Sequence, residues 1–168
     1  MAKGDVTIVG GAAVSTVIPF KVDDRTTSTQ TATIKPGDPV TLDNTNFVEI
    51  VADDGPVVST GLLVGIAHNE STETSSAEGF VDVEIVVPFI TKLRAKATTV
   101  ANIDTVAKLL AYKFNSVNFD NASNVITIDE NDADDPNEHG LVIVDGDIAK
   151  GTLDVYVKPL ACVFGRNV

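Results

Sequence analysis

Apolar and β-branched residues recur along this chain in short runs, cut by Gly, Pro, Asp and Asn. Such runs read as strands, because a pleated surface accommodates branched side chains that lose freedom in a helix. "DVTIV" and "AVSTVIPFKV" open the series on either side of Gly10-Gly11, and "TATIKPGDPVTLD" turns at Pro36-Gly37 between two short strands. "NFVEIVADDGP" predicts a strand ending in a turn at Asp54-Gly55, and the unbroken "GLLVGIAH" predicts one buried on both faces. "FVDVEIVVPFI" alternates, with Val81, Val83 and Ile85 on one side and Asp82 and Glu84 on the other. "TKLRAKA" follows as its partner strand. "NSVNFD", "NVITID", "GLVIVDGD" and "GTLDVYVKP" read as four further strands, the second and third joined as a hairpin across a loop of about a dozen residues.

One segment has helical spacing instead. "DTVAKLLAYKF" places Val106, Leu109, Leu110 and Phe114 at helical intervals, with Asp104 or Thr105 able to cap the start. Lys108 and Lys113 lie toward the end, where the helix dipole favours cations. A helix over about 104–113 is too short to stand alone, so its apolar side must dock on a sheet. The pattern therefore predicts a mainly β fold, an antiparallel β-barrel or sandwich with one short α-helix and an extended N-terminal arm. Residues 1–24 form the β arm and 25–168 a single β-rich domain. Val6, Ile8, Val17, Ile18 and Phe20 are the arm's candidates for adding strands to a neighbouring subunit's sheet edge. The alternative is that they form the domain's own first hairpin.

Charge narrows the partners. The formal net charge of −12 repels nucleic acid backbone and anionic lipid, so neither nucleic acid nor membrane is an expected partner. Between Lys35 and Lys92 there are ten acidic residues and no Lys or Arg. Lys92, Arg94 and Lys96 then alternate, which in a strand gives one basic face. That face is either a contact for the acidic half of another copy or a solvated surface. No stretch reaches the ~20 apolar residues of a membrane span. The apolar run near the start follows Asp5, has only Lys3 as a basic residue before it and breaks at Gly10-Gly11, so it does not read as a secretion signal. Cys162 is the sole cysteine, excluding an intrachain disulfide, and its apolar context predicts an inert buried thiol.

The most chemically loaded stretch is "DENDADDPNEHG", with six carboxylates in twelve positions. Asp129, Asp132, Asp134 and Glu138 are its candidate calcium ligands, since calcium takes oxygens from closely spaced carboxylates. The EF-hand pattern fails, however. Counted from Asp129, Ala133 holds a ligand position and Asp134 stands where Gly is needed; counted from Asp132, Pro136 spoils the third ligand. Carboxylate pairs in water repel by about 1 kcal/mol or less, so no ion is required, and a solvated loop without metal is the reading. "NESTETSSAEG" likewise reads as an exposed loop. His68 and His139 belong to no recognisable metal or nucleophile motif. No catalytic or cofactor-binding residue is assigned, no cofactor is expected, and the chain is not read as an enzyme.

Between about residues 31 and 160 the order and texture carry a resemblance. "IKPGDPVTLD", "GLLVGIAHNESTETSSAEGFVDVEIVVP", "AKATTVANIDT" and "GLVIVDGD…GTLDVYVKP" together resemble small structural proteins of tailed-phage virions, including capsid decoration (cement) proteins. The resemblance implies a β-rich homo-oligomer, commonly a trimer, synthesised in the host cytoplasm and carried on the capsid surface. It implies the major capsid protein as partner and a role in bridging capsomers of the expanded head. It brings no catalytic residues. A tail-tube or head–tail connector protein, or an extracellular glycan- or calcium-binding β module, are the alternatives.

Overall fold

The structure, a computed structural model, describes residues 5–11, 16–25, 32–58, 61–131 and 138–165. In chain order it contains strands β1 (Thr7–Gly10), β2 (Val17–Val22), β3 (Pro39–Leu42), β4 (Val48–Ile50), β5 (Leu62–Ala67), β6 (Gly79–Ile85) and β7 (Lys92–Lys96). The helix α1 (Val106–Tyr112) follows, then β8 (Ser116–Ala122), β9 (Val125–Asp129), β10 (Leu141–Asp147) and β11 (Thr152–Val157). They form two antiparallel sheets, ordered β1-β7-β11-β10-β8-β9 and β2-β6-β5-β3-β4. The mainly β architecture with a single short helix is the one the pattern predicts, and it is a sandwich.

Both sheets curl. Just past β7, the Thr98 N–H donates to Ile128 on β9 at 3.0 Å, so the far strand of the first sheet returns to β7. In the second sheet, Lys21 on β2 holds its ammonium 5.9 Å from the ring centre of Phe47, beside β4. The inward faces share one core, with Val81, Val83, Leu93, Val117, Phe119, Ile126, Ile128, Leu141 and Leu153 buried. Residues 51–58 fasten the sheets together: Phe119 N–H donates to the Gly55 carbonyl, and the Asn121 amide to that of Val51 at 2.7 Å. β5 is buried almost throughout, as its unbroken apolar run requires. Gly65 within it has room for no side chain, since a Cβ would run into β6; it would meet Val83 Cγ1 at 2.7 Å and clash with the Glu84 backbone.

Four local expectations are corrected. β7 does not pair with β6; it crosses to the first sheet, between β1 and β11. The linker Val86–Thr91 makes the crossing, with the Val87 N–H capped by the Thr91 hydroxyl at 3.0 Å. β10 does not form a hairpin with β9 but lies beside β8 and β11. The helix is capped by Thr105, whose hydroxyl accepts from the Lys108 N–H, yet within α1 only Leu109 is buried. Val106, Leu110 and Phe114 face outward instead of docking. Finally, the loop 69–78 is anchored rather than wholly exposed. Ser71 is buried because its hydroxyl accepts from Ile34 N–H at 3.0 Å, and its own N–H donates to the Ile34 carbonyl.

Candidate interaction surface

The segment expected to act as an arm supplies two edge strands. β1 is the outermost strand of the first sheet and β2 of the second; they do not pair with each other. Val6 is buried in the core, and Ile8, opposite Leu93, packs partly against it. On β2, Ile18 and Phe20 lie opposite the buried Val83 and Val81, so they point toward the sandwich interior but are only partly covered at its margin. Val17 lies opposite Glu84 on the outer face. Pro19 sits mid-strand, which is tolerated at an edge where the missing N–H faces away from the neighbour. The same feature deprives an added strand of one donor there.

Beside β1 lies a cleft of about 310 Å³, lined by Thr7, Ile8, Pro36 and Ile66 with His68 and Glu84 at its polar side. Its position follows from the chain: Val6 N–H donates to the Gly37 carbonyl, which pins the start of β1 across the Pro36-Gly37 turn. The cleft is large enough to take a side chain from a partner.

The basic strand has its predicted one-sided geometry. Leu93 and Ala95 are buried while Lys92, Arg94 and Lys96 share the opposite face. Two of the three meet an anion of the same chain. Arg94 donates to both Asp154 oxygens, at 2.6 and 2.9 Å, and the Lys92 ammonium stands 3.0 Å from the same carboxylate. Lys96 is exposed. The Asp154 side chain is 2 % exposed. Burial pushes its pKa up, but the hydrogen bonds and charges of Arg94 and Lys92 outweigh that and hold it below the usual carboxylate value. Sequence reasoning missed Asp154: its one signal is the lone charge in "TLDVYV", since its place opposite Arg94 comes from the pairing of two strands distant in the chain.

Among the proposed calcium ligands, Asp132 and Asp134 lie outside the described residues. Asp129 accepts from the Asn131 N–H in a local turn at 2.9 Å, and Glu138 is exposed, its carbonyl accepting from Val58 N–H. Among the described residues, no group of three or more His, Cys, Asp or Glu side chains is placed to hold a metal ion. The solvated-loop reading needs one correction. Glu130 is fully buried and accepts from Thr99 N–H at 3.1 Å, Asn102 Nδ2 at 3.0 Å and Asn131 Nδ2 at 3.2 Å. The signal was the strand period, since Ile126, Ile128 and Glu130 fall on one face. This carboxylate ties the 3-10 turn Val100–Asn102 to the end of β9. His68 is exposed; His139 is buried with Nδ1 3.3 Å from the Ser116 carbonyl. The Cys162 thiol is buried and donates to the Val86 carbonyl.

One carboxylate pair, Asp120 with Asp53, is less comfortable. Burial, the charge of Asp53 and a hydrogen bond shared with it hold the Asp120 pKa above the usual value. An acid with a raised folded pKa costs stability once ionised: the benefit of its proton is present at low pH and lost as pH rises through the folded value. Asp120→Asn keeps an oxygen to accept from the Thr98 hydroxyl. It is expected to stabilise the fold at pH 7 by ~0.5 kcal/mol, the scale of exposed charge pairs, with no gain below pH ~3.5. Urea melts at both pH values check this; equal effects at the two would contradict it.

The surfaces that stand out are thus two strand edges, the cleft beside β1 and a basic strand partly neutralised from within. No family model matches this chain, and no curated protein matches it.

Proposed function

We propose that this chain is a structural protein of the tailed-phage virion, a decoration protein that binds the major capsid protein lattice and bridges capsomers of the expanded head. The observation that carries the reading is the outer edge of β1 beside its cleft. Strand addition draws affinity from main-chain hydrogen bonds and specificity from pockets that take alternate side chains, and β1 offers both. β2, interrupted by Pro19, is the poorer edge. A curled double sheet around one core gives a stiff body that holds such an edge in place without ordering costs at each contact. With several copies or several contacts engaged, weak individual patches hold tightly because later contacts form intramolecularly. The acidic exterior suits attachment to protein rather than to packaged DNA.

The test is co-sedimentation with expanded and unexpanded heads assembled from the major capsid protein of the same source. The wild-type chain should pellet with expanded heads. Val9→Asp, which places a charge on the outward side of β1, should reduce the bound fraction by about tenfold. Absence of wild-type binding to either form of head would overturn the proposal.

A further inference from the structure

The helix α1 turns most of its apolar side chains to the outside. Val106 and Leu110, one turn apart, are 61 % and 57 % exposed, and Phe114, just beyond the C-cap Lys113, is 76 % exposed. Ala107 and Ala111 are exposed as well. A surface helix ordinarily carries polar residues on that side. The neighbouring elements extend the patch. Leu109 packs against Gly146 and Val100 against Gly151, so the helix and the preceding 3-10 turn flank the end of the β10–β11 hairpin. Val100 and Ile148 are exposed there.

The backbone supplies an independent sign. Phe114 has φ +69, a left-handed conformation that glycine adopts readily and a bulky side chain does not. Its N–H donates to the Ile143 carbonyl at 2.8 Å and Asn115 accepts from the Ile143 N–H at 3.1 Å, so the sheet holds the strained residue in place. Residues held in this way cluster at functional sites, and Phe114 lies beside the exposed apolar residues of α1.

The charges around the patch indicate the occupant. The chain as a whole carries −12, so copies repel one another over most of their surface. The patch is bordered by three cations matched to three anions: Lys108 to Asp104 at 2.8 Å, Lys113 to Asp145 at 3.5 Å and Lys150 to Asp147 at 3.1 Å. A basic partner would be drawn to the acidic surfaces instead. A second copy meets the least repulsion here, and a self-facing arrangement can oppose each Lys to an Asp across the contact.

We infer that the outward face of α1, with Val100 and Ile148, is an interface between copies of this chain. It adds to the strand-edge reading the surface through which copies meet, and its test involves no capsid, so either can fail without the other. Sedimentation velocity of the full chain, up to roughly 1 mM, should show mass above the monomer that rises with concentration. Leu110→Glu should abolish that rise. Phe114→Gly should weaken association by about tenfold or more while raising the melting temperature of the dilute chain, because glycine relieves the left-handed backbone. These opposite effects separate a contact role from a structural one even if Leu110→Glu does not fold. A wild-type chain that stays monomeric throughout, or a folded variant that associates as tightly as wild type, would overturn the inference.

Discussion

Phe119→Ala is expected to lower the unfolding free energy by about 4 kcal/mol, the cost of deleting a buried aromatic ring without collapse of the cavity. For a domain of this length that corresponds to a melting-temperature loss of roughly 10 °C. Among the described residues, Phe119 is the largest of the fully buried side chains. It also sits where the two sheets are joined, since its N–H donates to Gly55 while β8 pairs with β9 through Phe119 and Ile128. The neighbourhood cannot close over the gap easily, because β8 is fixed on one side by β9 and on the other by the 51–58 segment. Phe119→Leu, which keeps much of the volume, should cost about half as much. Thermal and urea melts of both variants check this. A loss under about 1 kcal/mol for the alanine variant would mean that the ring does not join the sheets as described.

Arg94→Ala is the second large effect, with an expected loss of about 3 kcal/mol at pH 7. Among the described residues it leaves the buried Asp154 carboxylate with Lys92 as its one remaining ion-pair partner, and removing one member of a buried pair costs more than the pair contributes net. Arg94→Lys keeps the charge but not the two-pronged geometry, so it should fall between alanine and wild type. The pH dependence has a definite sign. Asp154 has a depressed folded pKa, so its contribution is present above the ordinary value of 3.8 and is lost as pH falls through the lower folded one. The gap between wild type and Arg94→Ala should therefore be full at pH 7 and shrink below pH ~3.5. A gap that does not change with pH would show that Arg94 stabilises through packing of its stem alone.

Alternation made the inside and outside of individual strands legible: Val81 and Val83 inward, Lys92 and Arg94 on one face, β5 enclosed. The cap at Thr105 was legible for the same reason, because each depends on residues close in the chain. Strand partners were not. Nothing in "VVPFIT" says that β7 leaves the second sheet, and nothing in "DENDADDPNEHG" says that β10 will lie beside β8 instead of β9. Those choices are settled by contacts distant in sequence, such as Arg94 with Asp154. The helix shows the limit most plainly. Its spacing predicts an apolar face for the core, but the end of the β10–β11 hairpin accepts only Leu109, and the other apolar residues are left outside. At the acidic stretch, composition argued for water while the strand period argued for burial. At Glu130 the period prevailed, because the N–H groups of Thr99, Asn102 and Asn131 were there to receive the carboxylate.

The central proposal is that this chain acts by attaching to a capsid lattice. The most direct measurement is immunogold electron microscopy, with antibodies raised against the purified chain and tailed-phage particles taken from its own source. Regularly spaced label over the expanded heads, and none on unexpanded ones, is the predicted result. Bare heads, with the label confined to tails or the chain recovered apart from particles, would contradict it.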